Sequence, residues 1–252
     1  MATTTSAVAG PPIGSFGSPD LRANSMEADQ RKARVFGVLF IITFLTSLPA
    51  FFLFASVLDD PAGFIAGGGN DNQIYLAVVL EFLLIIANIG TAVVLYPIVR
   101  RQSKVLALGF VAARIIESVF IAAGLMFVLG IVSLSHDSPG AVDLAVSLAA
   151  LKDWTFLFGP GLTVPIGNGL ILGYLMYKSG LVPRPMALLG LIAGPVLLVA
   201  SLGTLFGRWE AGSPITLLLV APEFIWELAF LGFYCAIWGF RRDSPILQPS
   251  AR

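Results

Sequence analysis

Along the chain, long apolar runs alternate with short polar or glycine-rich interruptions, and six of the runs reach the roughly 20 residues that a helix needs to cross a bilayer core. They cover about 35–58, 73–99, 105–134, 153–177, 186–207 and 215–240. The interruptions have loop composition: Asp59-Asp60-Pro61, the glycine and asparagine run from Gly67 to Asn72, and Arg100-Arg101-Gln102-Ser103-Lys104. The pattern predicts an all-α, polytopic transmembrane helix bundle of six spans. Between Pro139 and Leu151 a further apolar stretch, Val142 to Leu151 around Asp143 and Ser147, fits either a short interfacial helix or an extension of the fourth span.

Composition agrees: 57% of the 252 residues are apolar and 12% are charged, about half the charge of a soluble domain. The distribution of basic residues sets an expected orientation, because short cytoplasmic loops are enriched in Lys and Arg. With the amino terminus inside, twelve of the fifteen fall on the inner side, Lys152 and Arg208 fall outside, and Arg114 lies within a span. Both termini are therefore expected in the cytoplasm. Residues 1–30, rich in Ala, Thr, Ser, Gly and Pro, read as a disordered cytoplasmic tail, with Met26 as an alternative start. The six-span domain then covers 31–242, and 243–252 form a second short tail.

A net charge of zero leaves no basic surface for nucleic acid, whose binding depends on neutralising phosphates. One cysteine, Cys235, and one histidine, His136, are too few for a zinc, iron-sulfur or bis-histidine haem site. No cofactor or metal is expected. The expected partners are membrane lipids, a small-molecule or ion ligand, and a partner membrane protein or second copy of the chain.

Chemistry is sought in the polar groups that lie within spans, since an ionised side chain at a helix centre costs about 2.5–3.5 kcal/mol and faces the bundle interior with a partner. Five charges qualify: Glu81, Arg114, Glu117, Glu223 and Glu227, with Asn88 and Asn168 as uncharged companions. At a rise of about 1.5 Å per residue, Asn88, Arg114 and Asn168 lie roughly 14–15 Å from the cytoplasmic side, Glu117 and Glu227 near 18 Å, and Glu81 and Glu223 near 25 Å. Arg114 and Glu117 are three apart, and Glu223 and Glu227 four apart, so each pair shares a helix face. Spans two, three and six are expected to converge, with Asn168 contributed by span four. One arginine leaves three negative charges, which a dry interior resists by taking up protons, water or a cation. Two readings of the network stand side by side: a polar lock on helix packing, and a site that binds a substrate or couples to protons.

Gly159-Pro160-Gly161, Pro165 and Gly167-Asn168-Gly169 crowd span four, and Pro222 precedes Glu223. The crowding fits either a discontinuous transporter helix or plain kinking and close packing. Enzyme classes lack parts: no lysine lies mid-span for retinal, His136 lies in an outer loop rather than beside a serine, and H-E-x-x-H is absent.

Ala113-Arg114-Ile115-Ile116-Glu117, the stretch Ile166-Gly167-Asn168-Gly169, the element Leu172-Gly173-Tyr174-Leu175-Met176-Tyr177-Lys178-Ser179-Gly180-Leu181-Val182-Pro183-Arg184, and Glu223 to Glu227 followed by Leu228 and Trp238 resemble the bacterial six-span family known as domain of unknown function 4386. The resemblance covers about 31–242. Pro185 and Pro195 depart from its usual pattern. It implies an α-helical inner-membrane protein, multi-pass in the bacterial plasma membrane, and brings no chemistry with it. The favoured function is a small carrier or ligand-binding cavity protein using intramembrane carboxylates for a proton, cation or amphiphile. A membrane scaffold or accessory subunit with a buried Arg/Glu network is the second reading, and an intramembrane enzyme acting on a lipid the third.

Overall fold

The structure is a computed structural model, which describes residues 19–138 and 140–248. Six long helices account for nearly all of it: α1 (Pro19–Leu58), α2 (Asp71–Val99), α3 (Lys104–Asp137), α4 (Val142–Ser179), α5 (Arg184–Leu205) and α6 (Pro214–Trp238). Each is long and apolar enough to cross a membrane. A short helical turn, Pro61–Gly63 running into Phe64–Gly68, joins α1 to α2. The protein is a multi-pass, all-α membrane protein.

Local chemistry sets the helix ends. The side chain of Asn70 accepts from the backbone N–H of Gln73 at the start of α2, Ser103 caps α3 through Leu106, and Ser213 followed by Pro214 opens α6. Helix α4 closes on Gly180 at φ +64°, a left-handed cap that favours glycine.

Two apolar cores lie at opposite ends of the bundle. One gathers Phe36, Phe40, Leu95, Phe110, Leu172, Leu175, Trp226 and Cys235; the other gathers Phe54, Val57, Ile65, Ile74, Val128 and Ile131. Between them runs a belt of buried polar residues: Thr43 and Thr46 on α1, Asn88 and Thr91 on α2, Arg114, Glu117 and Ser118 on α3, Asn168 on α4 and Glu223 on α6. Outward positions such as Phe51, Phe52, Val119, Met126, Leu217 and Leu218 are exposed and apolar, as lipid contact requires.

The amino-terminal reading is corrected in part. Residues 19–30 were expected in a disordered tail, but they form the first turns of α1, while residues 1–18 lie outside the described residues. Asp29 is bonded by Arg101 from the α2–α3 loop, at 2.5 and 3.0 Å. Gln30 donates to the carbonyl of Phe240 at 2.7 Å and accepts from the Phe240 N–H at 3.0 Å. The carboxyl-terminal segment, also expected as a tail, packs on the same face through 248. Arg241 N–H bonds the carbonyl of Leu181 at 2.8 Å, Ser244 bonds the carbonyl of Ser179 at 2.6 Å, and Leu247 is buried. Beside them, hydrogen bonds from Arg241 hold the exposed Asp243 carboxyl below its ordinary range. The two ends of the described chain thus lie on one face of the bundle, as an even number of crossings demands.

The stretch before span four also resolves. It is neither a loop nor a separate interfacial helix: α4 is helical without interruption from Val142, eleven residues before Asp153, where the apolar pattern had placed the span's start. Within it, Leu157–Gly161 and Pro165–Leu172 are wound as π-helix, as is Ile225–Tyr234 in α6. Proline explains one of these. Pro165 has no N–H to give the carbonyl of Gly161, and that carbonyl is bonded instead by Ser201 from α5 at 2.6 Å. The chain rewinds rather than breaks, so the discontinuous-helix alternative does not apply to α4. Helix α5 likewise runs unbroken through Pro195.

Candidate functional site

Six of the seven expected site residues meet in two neighbouring knots, and the first lies between α2 and α3. Arg114 donates to Glu117 at 2.8 Å and to the side-chain oxygen of Asn88, whose amide nitrogen in turn donates to Glu117 at 3.0 Å. All three side chains are buried. The guanidinium also lies over the Phe40 ring of α1, 5.3 Å from its centroid. The spacing of three between Arg114 and Glu117 puts both on one face of α3, and Asn88 closes the triangle by using both ends of its amide. Charge balances within this cluster, while the Arg114 Nε is buried without a hydrogen-bond partner.

The second knot lies between α4 and α6. Asn168 donates its amide to Glu227, and the Trp226 indole N–H bonds the backbone carbonyl of Asn168 at 3.1 Å. Glu223, one turn before, is 2% exposed, and neither of its carboxylate oxygens has a hydrogen-bond partner. The side-chain oxygen of Asn168 is buried and equally unpartnered. Glu223, Trp226 and Glu227 thus present one stripe of α6 to the turn of α4 at Asn168 and Gly169.

Glycine permits that approach. A Cβ on Gly169 would lie 3.3 Å from Oε2 of Glu223, and one on Gly194 of α5 would lie 2.7 Å from the carbonyl oxygen of Pro165. Gly190 lies under the Trp226 ring, where a Cβ would be 2.4 Å from Cε2. The glycines of α4 and α5 bring three backbones within reach of one another, as small residues do in membranes. Glu227 stands within electrostatic reach of both Arg114 and Glu117, so the two knots form one polar layer.

Glu81 does not join them. It pairs with Lys152, whose ammonium lies 2.8 and 3.1 Å from its two oxygens and 5.0 Å from the centre of the Phe54 ring. This corrects the placing of Lys152 in an outer loop: it lies ten residues into α4, 6% exposed, against Gly124 and Thr155. The signal was present in the spacing of Ala145, Ala149, Lys152 and Thr155, all buried on one face of α4. With Lys152 counted, the bundle interior holds four acids and two bases, and both bases are committed elsewhere than to Glu223. Trp226, Gly169, Gly194 and Ser201 were also missed as parts of the site, since each acts through a neighbour distant in sequence.

His136 sits at the end of α3, where its Nε2 lies 2.7 Å from the carboxylate of Asp71. No group of three or more His, Cys, Asp or Glu suited to a metal occurs among the described residues. Two open grooves mark the bundle's outside, about 540 Å³ beside Val199, Phe206 and Trp209, and about 450 Å³ beside Met186, Phe230 and Trp238. Neither is lined by an acid.

No curated protein and no solved structure matches the chain. The family model for the domain of unknown function 4386 matches residues 35–235, a stretch that holds every residue of both knots and the Glu81–Lys152 pair. The chain belongs to this family of domain of unknown function 4386 proteins.

Proposed function

We propose that the protein is a small carrier in which Glu223 and Glu227 hold a positively charged species, a proton or small cation, midway through the bilayer. The observation that carries this reading is Glu223: a buried carboxylate with no partner on either oxygen, with an equally unpartnered amide oxygen on Asn168 of the facing helix. A group of that kind is expensive in a hydrocarbon environment and is retained where it has work to do. The π-wound turns that carry Asn168 and Glu227 support the same reading, because such turns recur at functional sites.

The test is flux through reconstituted protein. Proteoliposomes loaded with a pH-sensitive dye, or given radioactive Na⁺ outside, are expected to pass one of these ions faster than empty vesicles. Glu223→Gln and Glu227→Gln, folded by circular dichroism, are expected to lose that flux. Absence of flux with both probes in folded wild-type protein overturns the proposal.

A scaffold role is supported by the other half of the layer. Arg114, Asn88 and Glu117 close on one another, and such a cluster fixes helix register without a ligand. A membrane partner that co-purifies in fixed ratio with a flux-inactive protein is the outcome that favours it. The excess of Lys and Arg on the side of the termini supports cytoplasmic termini, and the family resemblance supports a place in the plasma membrane of a bacterium. Because the one native cysteine, Cys235, is buried, single cysteines placed in the 100–103 loop and the 206–213 loop test this by their labelling from either side.

A further inference from the structure

We infer that the occupant of the Glu223 site is a single monovalent inorganic cation, Na⁺, held by the two carboxylate oxygens of Glu223 and the side-chain oxygen of Asn168, with Glu227 adjacent. This inference rests on the carrier reading and names what its site binds.

Three facts converge on it. The unpartnered atoms here are all acceptors: Oε1 and Oε2 of Glu223 and Oδ1 of Asn168. Glu223 and Asn168 are both more than nine-tenths buried, on helices locked together by the Trp226 bond and the Gly169 approach. A single proton would give this set one O–H donor and leave another oxygen without a partner, whereas one cation within reach of all three would serve them together. Carboxylate and amide oxygens are hard ligands, which suit alkali and alkaline-earth ions rather than softer metals. Charge decides between those two. Glu81, Glu117 and Glu227 each accept a hydrogen bond, so of the four acids Glu223 alone has no bonded partner. One positive charge matches it.

The experiment is thermal unfolding of the full-length protein in detergent at fixed pH and ionic strength, with Na⁺ exchanged for choline. Wild type is expected to unfold about 3–6 °C higher in saturating Na⁺ than in choline, since an ion bound only by the folded state stabilises it by mass action. Asn168→Ala is expected to need at least tenfold more Na⁺ for half the effect. Glu223→Gln is expected to show no Na⁺ dependence, while Glu81→Gln, at the Lys152 pair, keeps it. Equal Na⁺ dependence in Glu223→Gln and wild type overturns the inference. So does a wild type indifferent to Na⁺ but stabilised in choline by lowering the pH; that result makes the occupant a proton and leaves the carrier reading standing. If Glu223→Gln does not fold, broadening of the ²³Na resonance by wild type, abolished by Asn168→Ala, decides the matter; no broadening by wild type overturns it.

Discussion

Lys152→Met is the sharpest perturbation of the bundle, because it separates a lysine that reaches water from one that is sealed in. Its ammonium makes two bonds to Glu81, at 2.8 and 3.1 Å, and the two side chains are 8% and 12% exposed. Removing one member of such a pair leaves the other charge buried without compensation, which costs about 3–5 kcal/mol. Methionine keeps the length of the aliphatic stem against Gly124 and Phe54, so the packing loss is small beside the charge term. A cost of about 3 kcal/mol lowers the folded-to-unfolded ratio roughly 100-fold or more. The double variant Lys152→Met/Glu81→Gln is expected to regain most of it, to within about 1 kcal/mol of wild type, because no charge is then left buried. Equilibrium unfolding in mixed micelles, followed by circular dichroism, measures all three proteins. A Lys152→Met protein within about 0.5 kcal/mol of wild type, or a double variant as unstable as the two single ones summed, refutes the buried pair.

Other substitutions probe the remaining contacts. Asn88→Ala removes the acceptor of one Arg114 bond and a donor to Glu117 together, and is expected to cost about 1–3 kcal/mol in the same unfolding assay. Gly194→Ala adds a Cβ 2.7 Å from a backbone oxygen and 2.9 Å from a backbone carbon, neither of which is a flexible side-chain end. It is expected to destabilise by about 1–3 kcal/mol and to lower the Na⁺ response by moving α4 away from α5. Gln30→Ala cuts both bonds between α1 and Phe240, and faster proteolysis of the carboxyl-terminal segment is the expected readout.

The six helices were legible in the sequence because lipid leaves the backbone no alternative: every N–H and C=O has to be satisfied within the segment, so apolar length alone implies a helix. Arg114 with Glu117, and Glu223 with Glu227, were legible for a second local reason, since three- and four-residue spacings put them on shared faces. What escaped depends on contacts distant in sequence. The helical state of residues 19–30 is supported by Arg101, 72 residues from Asp29, and by Phe240, 210 residues from Gln30, so a polar stretch that looks free is packed. Lys152 escaped because a charge lowers the apolar average of its window, while its burial is set by Glu81, 71 residues away. Glu81 fell at a plausible depth for the acidic layer, yet depth says nothing about which neighbour a side chain meets around the bundle. The left-over carboxylates, Glu223 and Glu227, could therefore be counted only after Lys152 had been given its partner.

That recount implies a test by sign. A buried acid that serves structure and one that serves binding differ in what their amide replacement does to stability. Glu117 receives bonds from Arg114 and Asn88. Glu117→Gln weakens a charge-assisted bond and is expected to cost about 1–3 kcal/mol. Glu223 receives none, so in Na⁺-free buffer the wild-type carboxyl, with both oxygens unpartnered, is itself the liability. Gln is of equal size, carries no charge and brings an N–H₂ group toward a neighbourhood whose unpartnered atom on Asn168 is an acceptor. Glu223→Gln is therefore expected to unfold about 1–2 kcal/mol later than wild type without Na⁺, the stability gain that follows when a functional liability is removed. In saturating Na⁺ the order narrows or reverses, because only wild type gains from the ion. Should Glu223→Gln and Glu117→Gln both destabilise in Na⁺-free buffer, Glu223 has a structural partner, and the division of the polar layer into a closed half and an open half fails.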